Sequence, residues 1–201
     1  MSTYLKPLLI REKLISQGIR IFTPSLFSQI TGANKISTKH FLETQVKSGL
    51  LIRLKRGLYT LKTDPPSEQE IANSIYQPSY ISFEYALAFY GLLPEMPYSL
   101  TSATTKTTRN FTINSTTFSY RSIKTNIFTG YSLIKEGNHS FLIADQEKAF
   151  LDYYYFVYLG KASTNDRLIS RAKLKLNQIK IKTYLSLFNN PPFTKFINSF
   201  L

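Results

Sequence analysis

A chain of 201 residues is long enough for one large domain or two small ones, and 43% hydrophobic and 14% aromatic content supports packed cores rather than a disordered chain. The absence of cysteine excludes disulfides, thiolate nucleophiles and cysteine-ligated zinc. The net charge of +13 is uneven: residues 1–63 hold eleven Lys and Arg against two acids, 64–160 hold six against nine, and 161–201 hold eight against Asp166 alone, so two basic ends around an acidic middle point to a polyanionic partner held at two places.

Residues 4–17 place Leu5, Leu8, Leu9, Leu14 and Ile15 at near-helical spacing and predict a first helix. Thr23 followed by Pro24 suits an N-cap and first helical position, predicting a helix over 25–31 that stops at Gly32. After the turn at 32–35, Ser37 is the expected cap of a further helix ending at Ser48 and Gly49. Phe41, Leu42 and Val46 give that helix an apolar stripe. Thr38, Lys39, His40, Glu43, Thr44 and Lys47 are expected on its outward face. Two strands, 50–54 and 58–61, then flank the turn Lys55-Arg56-Gly57.

Helix, turn, helix and a ribbon with a cationic tip are the parts of a winged helix-turn-helix. In that arrangement a helix enters the major groove and the ribbon reaches a flanking phosphate or minor groove. The expected DNA-binding residues are Lys35, Ser37, Thr38, Lys39, His40, Thr44, Lys47, Arg53, Lys55 and Arg56. Ammonium and guanidinium groups suit phosphates, while hydroxyls and imidazole suit base edges as well.

Pro65 and Pro66 mark the expected boundary between a DNA-binding domain, 1–63, and a second domain, 67–201. Residues 68–75 read as a short linker helix and 77–80 as a further break. Ser82 is the expected cap of a helix over 83–90. Two hairpins are expected, one turning at Asn114-Ser115 and one at 136–138. Helices follow from Asp145 through Tyr158 and from Asn165 through Gln178, and Asn189-Asn190-Pro191-Pro192 breaks the tail. The fold class expected is α+β: a winged helix-turn-helix followed by a mixed domain with basic C-terminal helices.

Asp145, Glu147 and Lys148 raise the suspicion of a metal-dependent nuclease, but Glu147, Lys148 and Asp152 fall on one helix and a separate strand carboxylate is missing. His40 and His139 belong to different domains, and no phosphate-binding glycine loop occurs. The expectation is a protein without catalysis, metal or cofactor. Tyr153-Tyr154-Tyr155-Phe156 could stack on bases, though on a helix these side chains point in all directions and read as core. Arg167, Arg171 and Lys175 at i, i+4 and i+8, with Lys173 nearby, are candidates for a second nucleic-acid contact. The apolar windows at 81–93 and 150–159 are short and carry Glu84 and Asp152, so no membrane span is expected. Lys6 and Arg11 interrupt any secretory signal, and the expected location is cytoplasmic.

Several motifs in order resemble the AbiEi-type antitoxins, transcriptional regulators of bacterial abortive-infection systems. They are Arg56-Gly57-Leu58-Tyr59, the run Tyr80-Ile81-Ser82-Phe83-Glu84-Tyr85-Ala86-Leu87 with Tyr90-Gly91-Leu92-Leu93-Pro94-Glu95, Thr101-Ser102, Phe118-Ser119-Tyr120-Arg121, Phe128-Thr129-Gly130-Tyr131, and 144–152. The family usually has proline where Gln146 stands, and the match weakens after Lys161. The resemblance implies an autorepressor that binds inverted repeats in double-stranded promoter DNA. It also implies an antitoxin domain that counteracts a nucleotidyltransferase-like toxin without forming a stable complex with it. The alternative from the residues alone is a stand-alone winged-helix regulator whose second domain senses a ligand or partner.

Overall fold

In a computed structural model, residues 5–201 are described and form a mixed α+β chain. The part of the expected first helix at Tyr4 lies outside the described residues. The chain divides into two compact units, Met1–Ile75 and Tyr76–Leu201. The boundary therefore falls a helix later than the Pro65-Pro66 break. The reason is polar anchoring of the intervening segment: Arg20 donates to Asp64 at 3.1 Å and lies 3.9 Å from Glu70, and the Lys55 ammonium donates to the Ile75 carbonyl.

The first unit contains helices α1 (Pro7–Ser16), α2 (Pro24–Thr31), α3 (Lys35–Lys47) and α4 (Glu68–Ile75). Its three strands, β1 (Ile21–Phe22), β2 (Leu51–Lys55) and β3 (Leu58–Leu61), form an antiparallel sheet in the order β1-β3-β2. Thr23 caps α2, its Oγ1 accepting from the Leu26 amide at 3.2 Å, and Gly32 ends that helix with φ of 70°. The core joins Ile10 and Leu14 of α1 to Phe22, Phe27, Phe41, Leu42, Leu51, Tyr59 and Leu61. Phe27 lies 5.9 Å from Phe22 and 5.3 Å from Phe41, so one ring ties α2 to both the sheet and α3. Burying each such ring contributes roughly 1.5–3 kcal/mol.

The second unit is built on a six-stranded sheet of β4 (Ser79–Ile81), β5 (Ser99–Thr104), β6 (Arg109–Ile113), β7 (Thr116–Ser122), β8 (Tyr131–Glu136) and β9 (His139–Ala144). The order is β6-β7-β5-β4-β9-β8, with β5–β7 and β4–β9 parallel and the other neighbours antiparallel. Strand β4, read from sequence as a break, sits at the centre of this sheet. Its flanking Gln77-Pro78 and its length of three residues conceal it, yet Ser79, Tyr80 and Ile81 are all buried. Both expected hairpins form, as β6–β7 and β8–β9.

Helices α5 (Phe83–Phe89), α6 (Gln146–Tyr158), α7 (Asp166–Lys175), α8 (Gln178–Leu187) and α9 (Pro191–Asn198) complete the unit. The single helix expected from 165 to 178 ends at Leu176, whose extended backbone precedes Asn177. Asn177 then caps α8 by accepting from the Ile179 and Lys180 amides. Ser82 stands at the start of α5 but makes no cap; its hydroxyl is turned to Asp152 instead. Among the described residues no helix is long and apolar enough to cross a membrane.

Candidate nucleic-acid interface

Three residues, Gly32 to Asn34, separate α2 from α3. Thr31 donates to the Phe27 carbonyl at 2.8 Å and its Oγ1 accepts from the Ala33 amide at 3.2 Å, which fixes the exit from α2. Asn34, not Ser37, then caps α3, its Oδ1 accepting from the Ser37 amide at 2.9 Å. Asn and Ser are comparable caps, so the sequence by itself does not choose between them. Ser37 is a half-buried residue of the first turn.

On α3, Thr38 precedes the buried Phe41 and Leu42 by three and four residues and so shares their face. Thr38 is turned inward and is 1% exposed, sharing a 2.9 Å hydrogen bond with Ser28 of α2. It cannot touch a base from there, so its assignment as a reader is overturned: it locks the two helices together. Lys39, His40, Glu43, Thr44 and Lys47 are exposed, as is Lys35 at the first position. Beside them lies a cleft of about 510 Å³ bordered by Pro24, Ser25 and Ser28 of α2, Lys35, Thr38, Lys39 and Leu42 of α3, and Tyr59 of β3.

The β2–β3 hairpin turns through Arg56 and Gly57, where Gly57 takes φ of 78°. That left-handed backbone favours a residue without a Cβ. Arg53 and Arg56 are exposed. Lys55 is half-buried and committed to the Ile75 carbonyl, so its assignment as a hairpin-tip phosphate ligand is corrected to an anchor for the end of α4. A cation at a helix C-terminus meets the negative end of the helix dipole.

In the second unit the cationic stripe is used in the same way. Arg171 and Lys175 both donate to the Gly91 carbonyl, at 3.2 and 3.4 Å, just beyond the C-terminus of α5. Arg171 is half-buried, while Arg167, Lys173 and Lys175 are exposed. Lys173 points away from the other three, since it is six residues from Arg167 on a helix of 3.6 residues per turn. The four do not form one free cationic surface.

The carboxylates that suggested a nuclease fall into two networks: Lys180 bridges Asp145 at 3.3 Å and Glu147 at 3.9 Å, while Asp152 belongs to a separate buried cluster. Asp145 caps α6 through the Lys148 amide at 3.1 Å, and its other oxygen accepts from Tyr184 at 2.7 Å and Lys180 at 3.3 Å. Glu147 accepts from the Asn177 amide at 2.9 Å. Asp152 is fully buried, accepting from Tyr80 at 3.0 Å, Ser82 at 2.8 Å and the buried Lys148 ammonium. Burial, and then the adjacent Asp152, push the Tyr80 phenol well above its ordinary range. Among the described residues no three His, Cys, Asp or Glu side chains group as a metal site requires. Tyr153, Tyr154 and Phe156 are buried, and half-buried Tyr155 meets Phe188 and Phe193 at 5.1 and 5.2 Å.

One outward residue of α3 escaped the sequence reading. Ile36 is 82% exposed. The phase given by Phe41, Leu42 and Val46 places position 36 opposite the apolar stripe, which is the signal that would have found it. No family model matches the chain, and no curated protein matches it.

Proposed function

We propose that the chain is a transcriptional regulator that binds double-stranded DNA through a winged helix-turn-helix in its first unit, with α3 in the major groove and the β2–β3 hairpin as the wing. The observation that carries this reading is the outward face of α3, where Lys39, His40, Glu43 and Lys47 are exposed on a helix tied to α2 by the Ser28–Thr38 bond. A rigid helix pair that presents cations and hydrogen-bonding side chains on one face suits a groove walled by phosphates. Exposed Arg53 and Arg56 add cations on the hairpin.

The motifs shared with AbiEi-type antitoxins support a more specific role: autorepression of its own promoter, with the second unit counteracting a nucleotidyltransferase-like toxin. Motif residues Tyr80, Ser82, Lys148 and Asp152 converge in one buried polar network, which ties β4, the start of α5 and the middle of α6 together. In this reading they shape the second unit and leave its surface to meet the toxin's action.

A reporter driven by DNA from upstream of the gene tests the regulatory part. Repression by the wild type, relieved by combined Lys39→Ala, Lys47→Ala and Arg56→Ala, is expected; equal repression by that variant contradicts it. Growth during co-expression with the neighbouring gene tests the antitoxin part, with rescue expected from a chain carrying the same three substitutions.

A further inference from the structure

We infer that Ile36 reads thymine, packing its side chain against the C5-methyl group in the major groove. The inference rests on the DNA-binding reading above and assigns a specificity residue within it.

At about 100° per residue, the buried members of α3, Thr38, Phe41 and Leu42, centre on one side of the helix and Ile36 projects from the other. Lys39, His40, Glu43 and Lys47 follow it at i+3, i+4, i+7 and i+11, so a single apolar side chain heads an otherwise polar stripe. Ile36 is also the second residue of α3, and the N-terminal residues of a helix lying in the groove are those that reach base edges.

Chemistry narrows what such a residue can read. Isoleucine neither donates nor accepts a hydrogen bond, so the N7, O6, O4 and amino groups of the major groove give it nothing. The methyl group of thymine is the one apolar feature on that edge. An exposed apolar side chain flanked by Lys35 and Lys39 also suits a groove walled by phosphates better than an apolar protein pocket, where both ammonium groups would be desolvated.

The test uses the full chain. Duplexes are selected from a random pool, and each thymine of the enriched site is replaced in turn by deoxyuridine, which removes only the methyl group. For the wild type, one position should weaken binding about fourfold on replacement, the worth of one buried methyl. Ile36→Ala should bind the thymine and uracil duplexes equally at that position, while Ile36→Val keeps part of the preference. Enrichment with no methyl-sensitive thymine overturns the inference, as does undiminished sensitivity in Ile36→Ala. If no duplex is bound at all, the DNA-binding reading fails and the inference falls with it.

Discussion

Asp152 shows how much a single side chain holds. Its carboxylate collects the hydroxyls of Tyr80 and Ser82 and the ammonium of Lys148, all buried. Asp152→Ala leaves Lys148 without its counter-charge, and such a break costs about 3–5 kcal/mol. Urea unfolding of the full chain should show that loss in the second unit's transition; a change below about 1 kcal/mol would mean the pair contributes little. Tyrosines give a second prediction. Burial above all raises the phenols of Tyr80, Tyr120, Tyr154 and Tyr184, and pushes Tyr90 from 10.0 up to about 12. The unfolded chain thus loses these protons first as pH rises. Stability from these groups is intact below about pH 10 and falls as pH climbs toward 12. Thermal melts across that range, read with phenolate absorbance, should show absorbance lagging until unfolding. Free titration of every tyrosine near 10 in a folded chain would contradict it. Sequence spacing suggested Lys148 and Asp152 share a helix, but Tyr80 and Ser82 reach them only through the strand pairing of β4.

At the scale of elements, α2, the β2–β3 hairpin and α6 were legible because each has a strong local signal: Thr23-Pro24, a glycine turn, and Asp145 ahead of an apolar run. The start of α3 was not, since Asn34 and Ser37 are both good caps and only packing chooses between them. The choice matters, as the earlier start makes Ile36 the second residue of α3, on the face opposite Thr38, Phe41 and Leu42. Asn34→Ala should cost about 1 kcal/mol of stability in the first unit, whereas Ser37→Ala should fall within about 0.5 kcal/mol. Chemical denaturation of both variants checks this; the reverse order of losses would restore Ser37 as the cap. Strand β4 was hidden for a different reason. Three residues after a proline carry no periodicity, and their strand character comes from β5 and β9 on either side.

For the molecule as a whole, the two-unit organisation was legible but its boundary was not, because Pro65-Pro66 interrupts a unit instead of ending it. Asp64, Glu70 and the Ile75 carbonyl are partners of Arg20 and Lys55. Residues 1–63 should therefore melt below residues 1–75 when each is expressed alone, and equal melting temperatures would return the boundary to the prolines. The central claim, that α3 and the hairpin hold duplex DNA, is tested most directly by affinity as a function of salt. Binding of the full chain to duplex is titrated at several salt concentrations for the wild type and for Lys39→Ala, Lys47→Ala, Arg56→Ala and Lys55→Ala. Each of the first three should weaken binding and reduce the log–log salt slope by about 0.9, one phosphate contact each, while Lys55→Ala leaves the slope unchanged. Wild-type slope and affinity in all three variants would contradict the account.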